Sequence, residues 1–147
     1  MKVSEVMSRK VEVASPDDSI QRAAQMMALI DAGILPVGKD DRLVGMITDR
    51  DIAIRGVGQG CSPASTPVDQ VMTREVKYCF EDDDINDVAE NMAQLQVRRL
   101  PVLNRGKRLT GIISLCDIAR DHEPEAGVAL HHIAQKGGQH TQESGRA

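Results

Sequence analysis

The sequence predicts an α+β fold made of one β-α-β-β-α unit written twice, and three observations carry that expectation. The string GMITDRDIA (Gly45 to Ala53) returns as GIISLCDIA (Gly111 to Ala119). A shift of 65 positions lays Val3, Val6, Met7, Arg9 and Val11 on Val68, Val71, Met72, Arg74 and Val76. The register runs on through DDSIQRAAQMMA over DDDINDVAENMA to Pro36-Val37 over Pro101-Val102, and then slips to 66 in a polar turn, GKDDR against LNRGKR. A single insertion placed in a turn is what a duplicated structural unit tolerates.

Each copy opens with a brief β-type run, Val11 to Val13 and Val76 to Phe80. A helix follows. In the first copy Ser15 caps, Pro16 suits the first helical position and Asp18 lies three after the cap; Ile20, Ala23, Ala24, Met27 and Ile30 then repeat at helical spacing until Gly33. The second copy starts at Asp82-Asp83-Asp84 and carries Ile85, Val88, Ala89, Met92 and Leu95 on one core-facing stripe. Two strands joined by a tight turn come next: Ile34 to Val37 with Leu43 to Thr48, and Leu100 to Leu103 with Leu109 to Ser114. A second helix begins near Asp49 and near Leu115.

These readings divide the chain into a first copy at 1–60, a connector rich in Gly, Ser and Pro at 61–67, a second copy at 68–122 and a tail at 123–147. The tail holds a short helix around Glu125 to Lys136, and its end, GGQHTQESGRA, lacks the apolar residues to order itself. A small mixed sheet has a face that two helices cannot cover. The copies are therefore expected to pair about a pseudo-twofold axis and to leave two equivalent clefts.

Composition narrows the function. Hydrophobic residues make up 41% of 147, with no Trp, one Tyr and one Phe, so the interior is aliphatic. A net charge of −4 argues against nucleic acid as the main partner, although Arg98, Arg99, Arg105, Lys107 and Arg108 gather positive charge locally. Cys61, Cys79 and Cys116 suggest neither a disulfide framework nor a zinc knuckle. The start, MKVSEVMSRKVEV, has no apolar h-region, and no run approaches the ~18 apolar residues that span a bilayer, so a cytoplasmic protein without a membrane partner is expected. His131 and His132 are adjacent and diverge on a helix, His122 and His140 lie apart from them, and no metal site is expected. No nucleophile–base set or P-loop stands out, so no catalysis is expected either.

The repeated nine residues join an apolar run to a helix start, where free amides face any anion. Thr48 with Asp51, and Ser114 with Asp117, fit the [ST]-x-x-[DE] capping box. The same pair fits a ligand: the hydroxyl and amides suit a phosphate, and the carboxylate suits the two vicinal hydroxyls of a ribose. Both readings stand on this spacing. A base would need an apolar slot, for which Val11, Val13, Val76 and Tyr78, and Ile34, Leu35 and Pro36 or Arg99, Leu100 and Pro101, are the candidate walls. Tyr78 and Phe80 can stack or can simply be core. Arg50 could reach phosphates where the second copy has Cys116, and Arg98 and Arg99 occur only in the second copy, so unequal sites are expected.

With ILPV and RLPV before the hairpins and Gly-h-h-[TS]-x-x-D followed by Ile-Ala after them, residues 1 to 120 resemble a pair of cystathionine β-synthase (CBS) domains. The chain is similar to small stand-alone prokaryotic members, and TDRDIAIRG with QVRRLPV resembles the hypoxia- or stress-associated actinobacterial type. The resemblance implies a non-enzymatic regulatory module that needs no cofactor and binds an adenosine-containing ligand: AMP, ADP, ATP, S-adenosylmethionine or an NAD-like molecule. It also implies a homodimer, an unidentified protein partner, and roles for Thr48, Ser114, Asp51 and Asp117 at phosphate and ribose. A structural or interaction protein with vestigial clefts is the alternative.

Overall fold

A computed structural model describes residues 1–120 and 123–135. The chain is an α+β protein, and each copy carries the one long helix that the repeat foretells. Helix α1 (Ile20–Ile30) is capped by Ser19, whose side chain accepts from the Arg22 amide, and not by Ser15. Ser15 and Asp18 instead close a tight turn ahead of it: the Ser15 amide donates to Asp18 Oδ2 at 2.9 Å and the Asp17 amide to Ser15 Oγ at 3.2 Å. Both helices are the expected amphipathic type. The buried stripe of α1 is Ile20, Ala23, Met26 and Met27, while Ala24 and Ile30 face solvent. The helix ends on Asp31 in the left-handed region (φ 54°), two residues before Gly33.

Strand β1 (Ile34–Lys39) pairs antiparallel with β2 (Arg42–Thr48), Ile34 opposite Thr48 and Pro36 opposite Met46, with an irregularity between Val37 and Gly38. From Thr48 the chain enters α2 (Asp49–Asp51), a π-helical turn (Ile52–Gly56) and a 3-10 turn (Val57–Gln59). Helix α3 (Val68–Val71) follows the connector. The second copy gives β3 (Cys79–Phe80), α4 (Ile85–Leu95) capped by Asp84, β4 (Arg99–Leu103), β5 (Leu109–Ser114) and α5 (Leu115–Ala119). Helix α6 (Glu123–Ile133) ends three residues before the expected Lys136, which lies outside the described residues.

The opening strands are shorter than the β-type runs suggest. Val11 to Val13 is not a strand, and only Cys79–Phe80 of the second run is one. Proline explains both. The Ala14 amide donates to the Pro36 carbonyl and the Gly38 amide to the Ala14 carbonyl, both at 2.9 Å. The next donor of a parallel ladder, toward residue 12, would be the nitrogen of Pro36, which carries no hydrogen. In the second copy Cys79 pairs with Val102, and Pro101 stops the ladder in the same place.

The compact units cut across the copies. Among the described residues, one consists of 12–76 with 107–109, the other of 1–11, 77–106, 110–120 and 123–135. In the first, Val68, Val71 and Met72 pack with Ile20, Met27, Leu35 and Ile47, and Thr73 bridges Met46 of β2. In the second, Val3 and Met7 pack with Ile85, Met92, Leu100 and Ile113, Ser8 bridges Ile112 of β5, and α6 lies against α4 and α5. The repeated VSEVM and VDQVM segments therefore complete cores built by the other copy.

The same exchange satisfies the helix starts, whose first amides have no partner within the helix. At α1 the connector supplies acceptors: the Ile20 amide donates to the Thr66 carbonyl at 3.0 Å and the Gln21 amide to the Pro63 carbonyl at 3.1 Å. At α4 the Ile85 amide donates to the Met1 carbonyl at 3.0 Å.

Candidate functional site

The repeated signature forms the same corner in both units. The Asp51 amide donates to Thr48 Oγ1 at 3.0 Å, and the Thr48 amide donates to Asp51 Oδ2 at 3.0 Å. At the second corner the Asp117 amide donates to Ser114 Oγ at 3.1 Å and the Ser114 amide to Asp117 Oδ2 at 2.8 Å. The capping box is thus present twice. Both carboxylates are largely withdrawn from water, with side chains 15% and 11% exposed. Their second oxygen, Oδ1, faces an arginine.

The sheets bring the other predicted residues of each corner near or leave them aside. In the unit of residues 12–76, the ladder sets Ile34 opposite Thr48, and the Asp49 amide donates to the Gly33 carbonyl at 2.9 Å, so the start of β1 and the capping box form one end of the hairpin. Arg50 projects from the same turn and is exposed. Val13 is exposed over Gly38, Pro36 is buried in mid-hairpin, and half-buried Val76 ends the unit. In the other unit the Leu115 amide donates to the Arg98 carbonyl at 2.8 Å, which puts Arg98 and Arg99, both exposed, at the Ser114 corner. Pro101 is buried and Val11 half-buried. Tyr78 is exposed and meets Phe80 edge-on, with 5.6 Å between ring centroids, and Arg105 lies over the Phe80 ring at 4.1 Å.

Sequence reasoning missed Arg55. Its Nη2 donates to Asp51 Oδ1 at 2.8 Å and to Thr73 Oγ1 at 2.9 Å. The four-residue spacing from Asp51 was a signal for the first contact, since such pairs face each other on a helix. At the second corner Arg120 pairs with Asp117 Oδ1 at 3.4 Å. Burial pushes the Cys79 thiol up to about 12, aided by the nearby Asp83 charge, so this sulfur is structural. Among the described residues no group of three or more His, Cys, Asp or Glu side chains is placed to hold a metal. His122 and His140 lie outside the described residues. No described helix is long and apolar enough to cross a membrane.

Comparison with known proteins agrees with this architecture. Relatives include the CBS domain-containing protein YhcV of Bacillus subtilis, 38% identical over 136 residues, spanning 91% of this chain and 96% of that one. Hypoxic response protein 1 of Mycobacterium tuberculosis is 37% identical, spanning 84% and 86%. A crystal structure of Hypoxic Response Protein I with two coordinated zinc ions superposes with a TM-score of 0.73 at 36% identity, over 82% of this chain and 98% of that one. The CBS domain pair of protein MJ0100, in complex with 5-methylthioadenosine and S-adenosyl-L-methionine, gives 0.73 at 28% identity, over 85% and 98%. The family model for the CBS domain matches residues 3–57 and 68–122. With two matched domains and these relatives, the chain belongs to the CBS domain family.

Proposed function

We propose that the chain is a non-enzymatic regulatory module that binds an adenosine-containing ligand at the Thr48–Asp51 and Ser114–Asp117 corners. The observation that carries this is the twice-built corner, in which a carboxylate is fixed by a backbone amide, shielded from water and set beside a hydroxyl at a helix start. A fixed carboxylate accepts from both hydroxyls of a ribose at little ordering cost, and the hydroxyl and amides receive a phosphate or another polar group. The complex of the MJ0100 domain pair with two adenosine derivatives supports the ligand class. On this reading the module is a cytoplasmic homodimer, Ile34 and Arg50 border one ligand, and Arg98 and Arg99 border the other. Occupancy reaches a partner because ligand and partner favour the same conformation, a coupling of about 1–3 kcal/mol.

Calorimetric titration with AMP, ATP, NADH and S-adenosylmethionine tests it. Saturable heat with at least one of them is expected; folded protein that gives neither heat nor a thermal shift with any of them rejects the proposal. A second reading, docking of another protein, draws on Leu29, Ile54 and Val57, large apolar side chains exposed in the unit of residues 12–76. Capture of a partner that ignores nucleotide and both Asp→Ala variants would favour it.

A further inference from the structure

We propose that Arg55 is a positioning residue that lowers ligand affinity at the Asp51 corner and ties occupancy of that corner to Thr73, an inference that rests on Asp51 being a ligand-binding carboxylate. One nitrogen, Nη2, makes both contacts, to Asp51 Oδ1 at 2.8 Å and to Thr73 Oγ1 at 2.9 Å. With Oδ2 already accepting from the Thr48 amide, each oxygen of Asp51 is engaged before a ligand arrives. Each oxygen has two lone pairs, so Oδ2 can keep the Thr48 amide and still accept a hydroxyl, whereas at Oδ1 a vicinal diol must share the oxygen with the charge-assisted bond of a bulky guanidinium and competes with it. The charge it meets is also partly neutralised.

A diol that pushes the guanidinium off Oδ1 is expected to draw it from Thr73 as well, because one atom makes both contacts. Thr73 is joined to β2 by paired backbone hydrogen bonds with Met46, at 2.8 and 2.9 Å, and residues 73–76 are the last of this unit before Lys77 opens the other. Arg55 also sits in the π-helical turn Ile52–Gly56, a local departure from α geometry of the kind that recurs at functional positions. The second corner is wired differently. The position matching Arg55 is Asp121, and Arg120 reaches Asp117 from three residues on, at 3.4 Å with its side chain 74% exposed against 45% for Arg55. A long, exposed pair offers little competition.

The test isolates the Asp51 corner in an Asp117→Ala background and titrates it with AMP, with and without Arg55→Gln. Tightening of about 3- to 10-fold on removing Arg55 is expected, the loss of one charge-assisted competitor. Amide hydrogen exchange at Thr73 and Met46 is followed in parallel. It is expected to rise in ligand-free Arg55→Gln and Thr73→Val, and to rise in the parent chain when AMP binds. Unchanged or weaker AMP binding in Arg55→Gln overturns the competition, and unchanged exchange in ligand-free Arg55→Gln overturns the tie to Thr73. If the parent chain binds AMP but neither Asp51→Ala nor Asp117→Ala alters it, the ribose-binding assignment itself fails, a result that Arg55→Gln cannot produce.

Discussion

The two corners share a backbone and differ in what surrounds it. Each has the same capping box, the same hydrogen bond from the helix start to the residue before the first hairpin strand, and the same exchanged segment bridging the second hairpin strand. Around that frame, Asp51 is held by an arginine that also grips Thr73, whereas Asp117 has a looser arginine; Arg50 stands where Cys116 does, and Gly33 where Arg98 does. Duplication preserves what the fold needs, the caps and close backbone approaches, while the exposed side chains around them differ. On the proposed reading, the two corners then bind ligand with unequal affinities.

Two cysteines of the second copy give the widest contrast, one at its corner and one in its core. Cys116 is exposed within the second corner and Cys79 is buried with a thiol raised to about 12. Iodoacetamide at pH 8 is expected to modify Cys116 at least ~100-fold faster than Cys79, whose thiolate is scarce and shielded. Peptide mass spectrometry over time checks this, and comparable rates would mean the second core is open.

Close packing against the exchanged segments also differs between the units. A Cβ at Gly111 would lie 2.7 Å from the Ser8 carbonyl oxygen and 2.7 Å from Met7 Sδ; at Gly45 the matching distances are 3.0 Å to the Thr73 oxygen and 2.7 Å to Met72 Sδ. A methionine end can move, but a backbone oxygen held in a bridge yields less. Each Gly→Ala change should destabilise by about 1–3 kcal/mol, with Gly111→Ala the costlier, measured as urea midpoints. The reverse order would show that the bridge at Ser8 is the softer one.

Caps should cost less and more evenly. Thr48→Ala and Ser114→Ala each remove one acceptor from one helix start, about 0.5–2 kcal/mol, and similar values are expected because the geometries match within 0.1 Å. A large inequality, read from the same denaturation curves, would show that the corners are not equivalent as structure.

The smallest expected effect is at Arg105, which has no counterpart because it falls in the turn carrying the inserted residue. Its hydrogen bond holds the Asp82 carboxyl below the ordinary 3.8. A depressed carboxylate stabilises the fold above its ordinary pKa, and that contribution is lost as pH falls through the folded value. Arg105→Ala should therefore lower the urea midpoint slightly at pH 7, and the gap to the parent should narrow toward pH 3. A gap that is constant with pH would assign the effect to the contact with Phe80 alone.

Local chemistry explains why the helices, hairpins and capping boxes were legible: each depends on residues within a few positions, such as Thr48 with Asp51 or Asp84 with Asn86. The sequence points to Ser15 where the helix starts after Ser19, because Ser15-x-x-Asp18 and Ser19-x-x-Arg22 compete and the Thr66 and Pro63 carbonyls decide between them. The truncated opening strands were readable in principle, from Pro36 and Pro101, once their partners were known. The exchange of residues 1–11 and 68–76 between cores was not, since the two segments are nearly alike and either core would accept either one by pattern. Arg55 was half legible: its spacing from Asp51 is local, whereas Thr73 is 18 residues away.

Counting ligand sites decides whether these two carboxylates hold the ligand. Titrating the parent chain, Asp51→Ala and Asp117→Ala with the adenosine ligand that binds best, each variant should lose one site and keep the other, with the tighter site lost in Asp117→Ala. Full stoichiometry and unchanged affinity in both variants would contradict the assignment of these carboxylates to the ligand.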